Sequence, residues 1–343
     1  MKLEKELYMR RALELAGKGL GLVSPNPMVG CVIVYRDHII GEGYHHQYGG
    51  PHAEVVAVDS VEDKSLLQEA TVYVTLEPCS HYGKTPPCCD LLITHGFKKA
   101  VIANVDPNPK VQGRGIGRMK EAGIKVSTGL LMEEGLKLNR RFFTFHEKRR
   151  PYLILKWAQT ADGFIARANF DSKWISGVRS RQLVHSWRAQ EDAILVGKNT
   201  AYYDNPSLTT RDWSGKDPIR IVLDHKRFLS DKLQLFCDGK TTLRAVENQN
   251  AKKDDLTISE DKGIQGLVDS LYENDIQSVI IEGGGSTLQN FIDLELWDEA
   301  RVFTGNIDFK EGIAAPILSA NTVNEVKIGR DKLITYENQK AQP

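Results

Sequence analysis

The sequence predicts two α/β domains in series, and three observations carry that reading. At 343 residues the chain exceeds a single domain on a prior of roughly 150 residues each. Short β-rich runs alternate with helical stretches in both halves, as in layered α/β domains. The alternation stops at a basic cluster, His146, Lys148, Arg149 and Arg150, followed by Pro151, and then restarts. Proline disfavours helix in the residue before it, and a run of like charge ordinarily marks a solvated surface. The domains are therefore drawn as residues 1–147 and 151–343, with the cluster read as a solvated linker.

Each element follows from its local pattern. The N-terminal stretch spaces Met9, Ala12, Leu13, Ala16 and Leu20 at helical intervals with charges between them, an amphipathic helix without the continuous apolar centre of a signal peptide. Val29 to Tyr35 and His38 to Tyr44 read as strands joined by a turn at Asp37. Then come a helix from Ala53 to Val61, a strand from Thr71 to Leu76, a short helix from Cys88 to Thr94, a strand from Lys99 to Val105 and a helix from Gly115 to Ala122. One further helix is expected from Glu133 to Phe145. In the second half, strands are expected at Tyr152 to Trp157, Ala193 to Val196, Ile219 to Asp224, Ser278 to Glu282 and Arg301 to Thr304. Helices are expected at Ser180 to Gln190, Ile264 to Asn274 and Thr287 to Asp293. The stretch from Lys240 to Lys262 is polar and patternless and reads as a surface excursion.

Composition excludes several classes. No apolar run approaches the roughly 18 residues of a membrane span, so a cytoplasmic protein is expected. Lys plus Arg and Asp plus Glu both number 45, so no global field favours nucleic acid or an anionic membrane. Cysteines number five, an odd count with Cys79, Cys88 and Cys89 clustered, which in a chain without export signals points to metal or redox chemistry before disulfides.

The cluster gains meaning from its partners. Pro51-His52-Ala53-Glu54 opens an expected helix, Glu77-Pro78-Cys79 ends a strand, and Cys88 follows nine residues later. One imidazole and two thiolates suit the borderline-soft, tetrahedral Zn²⁺, and three protein ligands leave a fourth position for water. Glu54, two residues after the histidine, then stands beside that water as a proton shuttle. This H-x-E and P-C pattern is that of zinc nucleobase deaminases, although their usual C-x-x-C spacing is lengthened here. The competing reading is a structural zinc site closed by Cys89 or His81, in a noncatalytic protein. A nucleoside or tRNA deaminase with an unrelated second domain is the alternative enzyme.

The longer spacing carries a resemblance. Ser80-His81-Tyr82-Gly83-Lys84-Thr85-Pro86-Pro87 lies between the cysteines, Pro25-Asn26-Pro27-Met28-Val29-Gly30 upstream and Asp106-Pro107-Asn108-Pro109 downstream. Together they resemble the deaminase domain of the bifunctional riboflavin-biosynthesis deaminase/reductases, which has a three-layer, cytidine-deaminase-like fold. The resemblance implies a diaminopyrimidinone ribosyl phosphate substrate touched by Asn26, His45 (or its neighbour His46), His81 and Lys84. An amide suits a pyrimidinone edge, and a lysine or histidine suits a phosphate or hydroxyl.

The second half carries a strand running into Gly283-Gly284-Gly285-Ser286-Thr287 and a helix. Glycines let backbone N–H groups approach an anion at a helix N-terminus, but the G-x-G-x-x-G of a dinucleotide-binding unit is missing. Beyond that, Lys156-Trp157-Ala158-Gln159-Thr160-Ala161-Asp162-Gly163, Ser172-Lys173-Trp174-Ile175-Ser176, Arg188-Ala189 and Asp204-Asn205-Pro206-Ser207-Leu208-Thr209-Thr210-Arg211 are similar to the same family's reductase domain. That domain has a dihydrofolate-reductase-like α/β fold and uses NADPH. The similarity implies substrate contacts at Ser172, Arg188, Leu208, Arg211 and Glu282. It implies NADPH contacts at Ala158, Trp174, Thr200, Asp204 and the loop from Gly284 to Asn290, including Gly285, Ser286 and Thr287, and it places Lys156 near the reacting sugar carbon. Oligomeric state is left open by the sequence.

Overall fold

The computed structural model describes residues 2–82, 86–109, 111–172 and 174–341. The chain divides into two compact units, 1–148 and 149–343.

The first unit runs α1 (Lys2–Gly17), β1 (Gly30–Tyr35), β2 (His38–Tyr44), α2 (Ala53–Ser60), β3 (Thr71–Leu76), α3 (Cys88–Thr94), β4 (Lys99–Asn104), α4 (Arg114–Glu121), β5 (Lys125–Thr128), α5 (Met132–Leu138) and α6 (Arg140–Lys148). Its sheet has the order β2-β1-β3-β4-β5, antiparallel through β2, β1 and β3 and parallel from β3 to β5. Arg36 and Asp37 both take positive φ in the β1–β2 turn, which matches the twist of the flanking strands.

Side chains along β1 alternate between two cores. Cys31 and Ile33 pack with Ala53, Ala57, Leu92 and Met119 on one face, and Val32 and Val34 pack with Met9, Ala12 and Leu15 on the other. The sheet is therefore buried on both faces, giving the expected three layers. Gly30 is required at the approach of α1, because a Cβ there would lie 1.9 Å from the Ala12 carbonyl oxygen.

Two expectations in this unit are corrected. The helix expected from Glu133 to Phe145 is broken at Asn139, whose buried side chain bonds the Met28 backbone. The solvated linker is in part structured: His146 packs edge-on against Phe142, and the Arg150 guanidinium forms a two-bond pair with Asp298 at 2.6 and 2.7 Å. Asp298 also accepts the Leu153 N–H, so Arg150 belongs to the second unit's core edge.

The second unit runs β6 (Tyr152–Gln159), β7 (Phe164–Ala166), α7 (Val178–Arg188), β8 (Ala193–Gly197), α8 (Lys198–Asp204), β9 (Ile219–Leu223), α9 (Gln234–Cys237), β10 (Thr242–Glu247), β11 (Leu256–Ile258), α10 (Ile264–Glu273), β12 (Ser278–Ile281), α11 (Gly285–Asp293), β13 (Glu299–Thr304), β14 (Ile313–Ala314), β15 (Asn321–Ile328) and β16 (Asp331–Glu337). Among the described residues its main sheet orders nine strands as β11-β10-β9-β8-β12-β6-β13-β16-β15. All pairs from β11 to β13 are parallel, and the β15–β16 hairpin adds antiparallel. Central strands are continuous apolar runs because helices cover both faces. Leu267, Leu271, Leu288 and Phe291 of α10 and α11 pack on one side, and Val184 and Trp187 of α7 on the other.

The expected surface excursion from Lys240 to Lys262 is corrected in part: it carries two strands, β10 and β11, joined by an exposed polar stretch that includes Asn248, Gln249, Lys252, Lys253 and Asp254. Ala245, Val246, Leu256 and Ile258 are buried, and so is Arg244, against Asp224 at 2.9 Å. The β15–β16 hairpin, which the sequence did not announce, is almost entirely exposed along β15, so no apolar alternation marked it.

Candidate active sites

In the first unit the ends of three elements converge. His52 is the residue preceding α2, Glu54 lies in that helix's first turn, Cys79 follows β3 through Pro78, and Cys88 opens α3 after Pro87. One ligand atom from each of His52, Cys79 and Cys88 lies within 4.8 Å of the others. His52 Nδ1 stands 3.6 Å from Cys79 Sγ and 3.3 Å from Cys88 Sγ. Bonds of about 2.0 Å to nitrogen and 2.3 Å to sulfur at the tetrahedral angle separate N from S by about 3.5 Å, so the donor set fits zinc. Among the described residues no fourth ligand joins the group: Cys89 turns its Sγ to Asp90 at 3.6 Å, and His81 is exposed. The geometry is that of an open site, and the closed structural site with Cys89 or His81 is not what the fold builds.

The two thiols and Glu54 act on one another's protonation. A hydrogen bond from Cys88 brings the Cys79 thiol down to about 4, while that same bond and burial push Cys88 well above the ordinary thiol range. Burial lifts the Glu54 carboxyl to about 7, with the Cys79 charge adding to it, and Cys88 hydrogen-bonds Glu54. His45 is buried, with Nδ1 bonded to the Pro51 carbonyl at 2.9 Å and Nε2 to the Asn26 amide nitrogen at 3.1 Å. That pair of bonds makes Nδ1 the protonated nitrogen and Nε2 the acceptor. His46 is exposed and stacks on Tyr44, so of the two neighbouring histidines it is His45 that lies against His52, ring centres 5.5 Å apart. Lys84 lies outside the described residues.

Glu77 earned no role from the sequence beyond its place in the motif. Its buried carboxylate accepts N–H groups from Asp106, Gly113 and Ile116 at 3.3, 2.9 and 3.1 Å, tying the Pro78-Cys79 turn to the start of α4. Gly115 permits the contact, since a Cβ there would lie 2.2 Å from the Pro78 carbonyl oxygen.

The second unit holds a cavity of about 470 Å³ beside the β12–α11 loop and the C-terminal half of β6. Lys156, Ser172, Arg188, Leu208, Arg211 and Glu282 all line it. So do Ala158, Trp174, Thr200, Asp204, Gly284, Gly285 and Ser286. Thr287 does not: its side chain packs beneath the loop, close against the Gly197 and Gly283 backbone. The glycine run begins α11 at Gly285, two residues earlier than expected, and the Gly284 N–H donates to Thr200 Oγ1 at 2.9 Å.

At one end of the cavity Glu282 takes two bonds from Arg188, at 3.1 and 2.8 Å, and faces Lys156 Nζ at 3.6 Å. Burial opposes this carboxylate, but the charges of Arg188 and Lys156 win and hold it at about 2. Burial lowers Lys156 in turn, and Glu282 partly restores it. His185, which the sequence reading passed over, also lines the cavity. Its Nδ1 bonds the Thr209 carbonyl at 2.8 Å, the same oxygen that Arg188 reaches, and Asp212 lies 3.3 Å from Nε2.

Two family models match the chain. The cytidine and deoxycytidylate deaminase zinc-binding region covers residues 2–104, and the RibD C-terminal domain covers 151–307. Among curated relatives, the riboflavin biosynthesis protein RibD of Aquifex aeolicus is 39% identical over 340 residues, 95% of this chain and 94% of its own. That of Actinobacillus pleuropneumoniae is 44% identical over 302 residues, 84% of this chain and 79% of its own. The chain belongs to the RibD family. Solved structures agree: a Thermotoga maritima diaminohydroxyphosphoribosylaminopyrimidine deaminase/5-amino-6-(5-phosphoribosylamino)uracil reductase superposes with TM-score 0.88 at 39% identity, covering 98% of this chain and 99% of that one. Acinetobacter baumannii RibD gives 0.90 at 32% identity, again over 98% and 99%.

As a RibD-family protein the chain is a bifunctional deaminase and reductase of riboflavin biosynthesis acting on small molecules, with Zn²⁺ and NADPH as its cofactors. Its first unit is cytidine-deaminase-like and its second dihydrofolate-reductase-like, as the motifs implied. Among the described residues no helix is long and apolar enough to cross a membrane.

Proposed function

We propose that the first unit deaminates 2,5-diamino-6-ribosylamino-4(3H)-pyrimidinone 5′-phosphate hydrolytically, with Glu54 as the proton carrier. The observation that carries this is a buried carboxyl next to three convergent ligands, His52, Cys79 and Cys88, with no fourth among the described residues. Zinc on that set supplies a Lewis acid and an acidified water. Glu54 takes a proton from the attacking water and delivers it to the ring nitrogen beside the amine-bearing carbon. It then passes the remaining hydroxyl proton to the amine, the C–N bond breaks, and ammonia leaves as the carbonyl forms. The half-buried Asn26, held by His45, reads the pyrimidinone edge, and His81 and Lys84 meet the ribosyl phosphate.

The second unit reduces the ribosyl group of the resulting aminouracil to ribityl. Ala158, Trp174, Thr200, Asp204 and the Gly284 to Ser286 loop would hold NADPH, which would supply the hydride. As the C1–O bond of the sugar opens, Lys156 delivers a proton to the departing ring oxygen. Glu282 keeps Lys156 in place and, with Arg188, bonds the substrate's donors and acceptors. Ser172, Leu208 and Arg211 complete the substrate end, where an arginine offers a planar fork to phosphate. All five cysteines are free, which supports a reducing, cytoplasmic setting.

The test is Glu54→Gln. The variant should retain zinc and lose ammonia release by a factor of about 10³ or more, while the reductase step on supplied aminouracil continues. Undiminished ammonia release would remove Glu54 from the mechanism.

A further inference from the structure

The helix break at Asn139 does more than end α5. Asn139 is buried, and its side-chain amide makes two bonds to one backbone unit: the Met28 N–H donates to Oδ1 at 2.8 Å, and Nδ2 donates to the Met28 carbonyl at 2.8 Å. This is the pairing one strand residue offers another, made by a side chain from a residue 111 positions away. Met28 is two residues from Asn26, with Pro27 between them and Pro25 in front, and proline fixes φ at each of those positions. The short segment is thus stiff, and a clamp on its Met28 end sets where its Asn26 end stands.

Asn26 is in turn joined to His45 at 3.1 Å, and His45 packs edge-on against His52. The deaminase family model ends at residue 104, whereas the clamp comes from the α5–α6 junction beyond it. The Asn139 backbone keeps its own helical bonds, its N–H donating to the Gly135 carbonyl at 3.1 Å and its carbonyl accepting the Phe143 N–H at 3.0 Å, so the whole side-chain amide serves the loop opposite.

We infer that Asn139 is a positioning residue of the deaminase site, holding the Pro25–Met28 segment so that Asn26 meets the pyrimidinone ring. The inference rests on the reading of Asn26 as a substrate contact. It assigns the helical tail of the first unit, residues 132–148, a part in substrate recognition without contact with substrate.

The test is a double-mutant cycle in the full-length, zinc-loaded protein. Asn139→Asp keeps the shape and the acceptor for the Met28 N–H but turns an oxygen toward the Met28 carbonyl. It should raise the deaminase KM between about tenfold and hundredfold, the scale for displacing a binding group by a fraction of an ångström to one ångström. Zinc content, kcat and the reductase activity of the same chain should stay near those of the parent. In an Asn26→Ala background the further change should vanish, because the residue being positioned is gone. Equal effects of Asn139→Asp with and without Asn26, or a loss of zinc and kcat at unchanged KM, would overturn the inference in favour of a purely structural clamp. An Asn26→Ala variant with unchanged KM would instead remove the reading of Asn26 on which it rests. Should Asn139→Asp not fold, Asn139→Ala removes both bonds without adding charge and serves in the same cycle.

Discussion

The Glu282 carboxylate offers the sharpest physical test of the reductase site. It is 9% exposed, accepts two bonds from Arg188 and faces Lys156, so Glu282→Gln leaves two buried cations against a neutral amide. Breaking a buried pair by removing one partner costs roughly 3–5 kcal/mol. The depressed pKa of Glu282 leads to a figure of the same size. The folded carboxylate is held at about 2 against an ordinary value of 4.5, a difference of 2.5 units. At about 1.36 kcal/mol per unit this is roughly 3 kcal/mol of stability at neutral pH. Because the folded value is depressed, that stability is complete above pH 4.5 and is lost as pH falls from 4.5 toward 2.

All five tryptophans, Trp157, Trp174, Trp187, Trp213 and Trp297, lie in the second unit, so their fluorescence during urea unfolding reports that unit alone. The variant should unfold about 3 kcal/mol earlier at pH 7. Its deficit should shrink by about 2 kcal/mol between pH 5 and pH 3, as the parent carboxylate begins to take up its proton in the unfolded state. A variant within 1 kcal/mol of the parent at pH 7, or a deficit that does not change with pH, would refute the claim that these charges hold Glu282 ionised.

Three more expectations can be checked directly. Removing zinc with a chelator should abolish ammonia release and leave NADPH oxidation on supplied aminouracil, followed at 340 nm (a property of the cofactor), unchanged. Arg211→Ala, on an exposed residue bonded only to Ser207 among the described residues, should barely move stability; it should raise the reductase KM for the phosphorylated substrate roughly tenfold to hundredfold, the worth of a charge-assisted bond, with the KM for NADPH unchanged. Glu77→Ala orphans the buried Asp106 and Ile116 N–H groups and the more open Gly113 N–H, and should lower the first unit's stability by at least about 2 kcal/mol at roughly 1–3 kcal/mol per buried donor, measured by melting with far-ultraviolet dichroism and by zinc retention against a chelator.

Much of the molecule was legible before any coordinates, and the division between what was and was not has a physical cause. The core strands, β1, β3, β4, β6, β8, β9, β12 and β13, were readable because each is an apolar run of a few residues bounded by turn formers, a property of neighbours in the chain. The zinc set was readable for a related reason: His52, Cys79 and Cys88 are chemically distinctive types whose spacing alone restricts what they can do together. Thr287, inside a recognised motif, is not among the residues that line the cavity.

What tertiary structure decided was every role that depends on a partner far along the chain. Arg244 sits buried within β10 only because Asp224, twenty residues away, receives it, and β15 exists only because β16 lends it hydrogen bonds while its side chains stay in water. Glu282 becomes an ionised anchor through Arg188, 94 residues before it, and Asn139 breaks a helix for Met28, 111 residues before it. A sequence pattern records the average burial of a position, whereas a buried charge or amide is stable only where one particular partner arrives, and only the folded chain brings that partner to it.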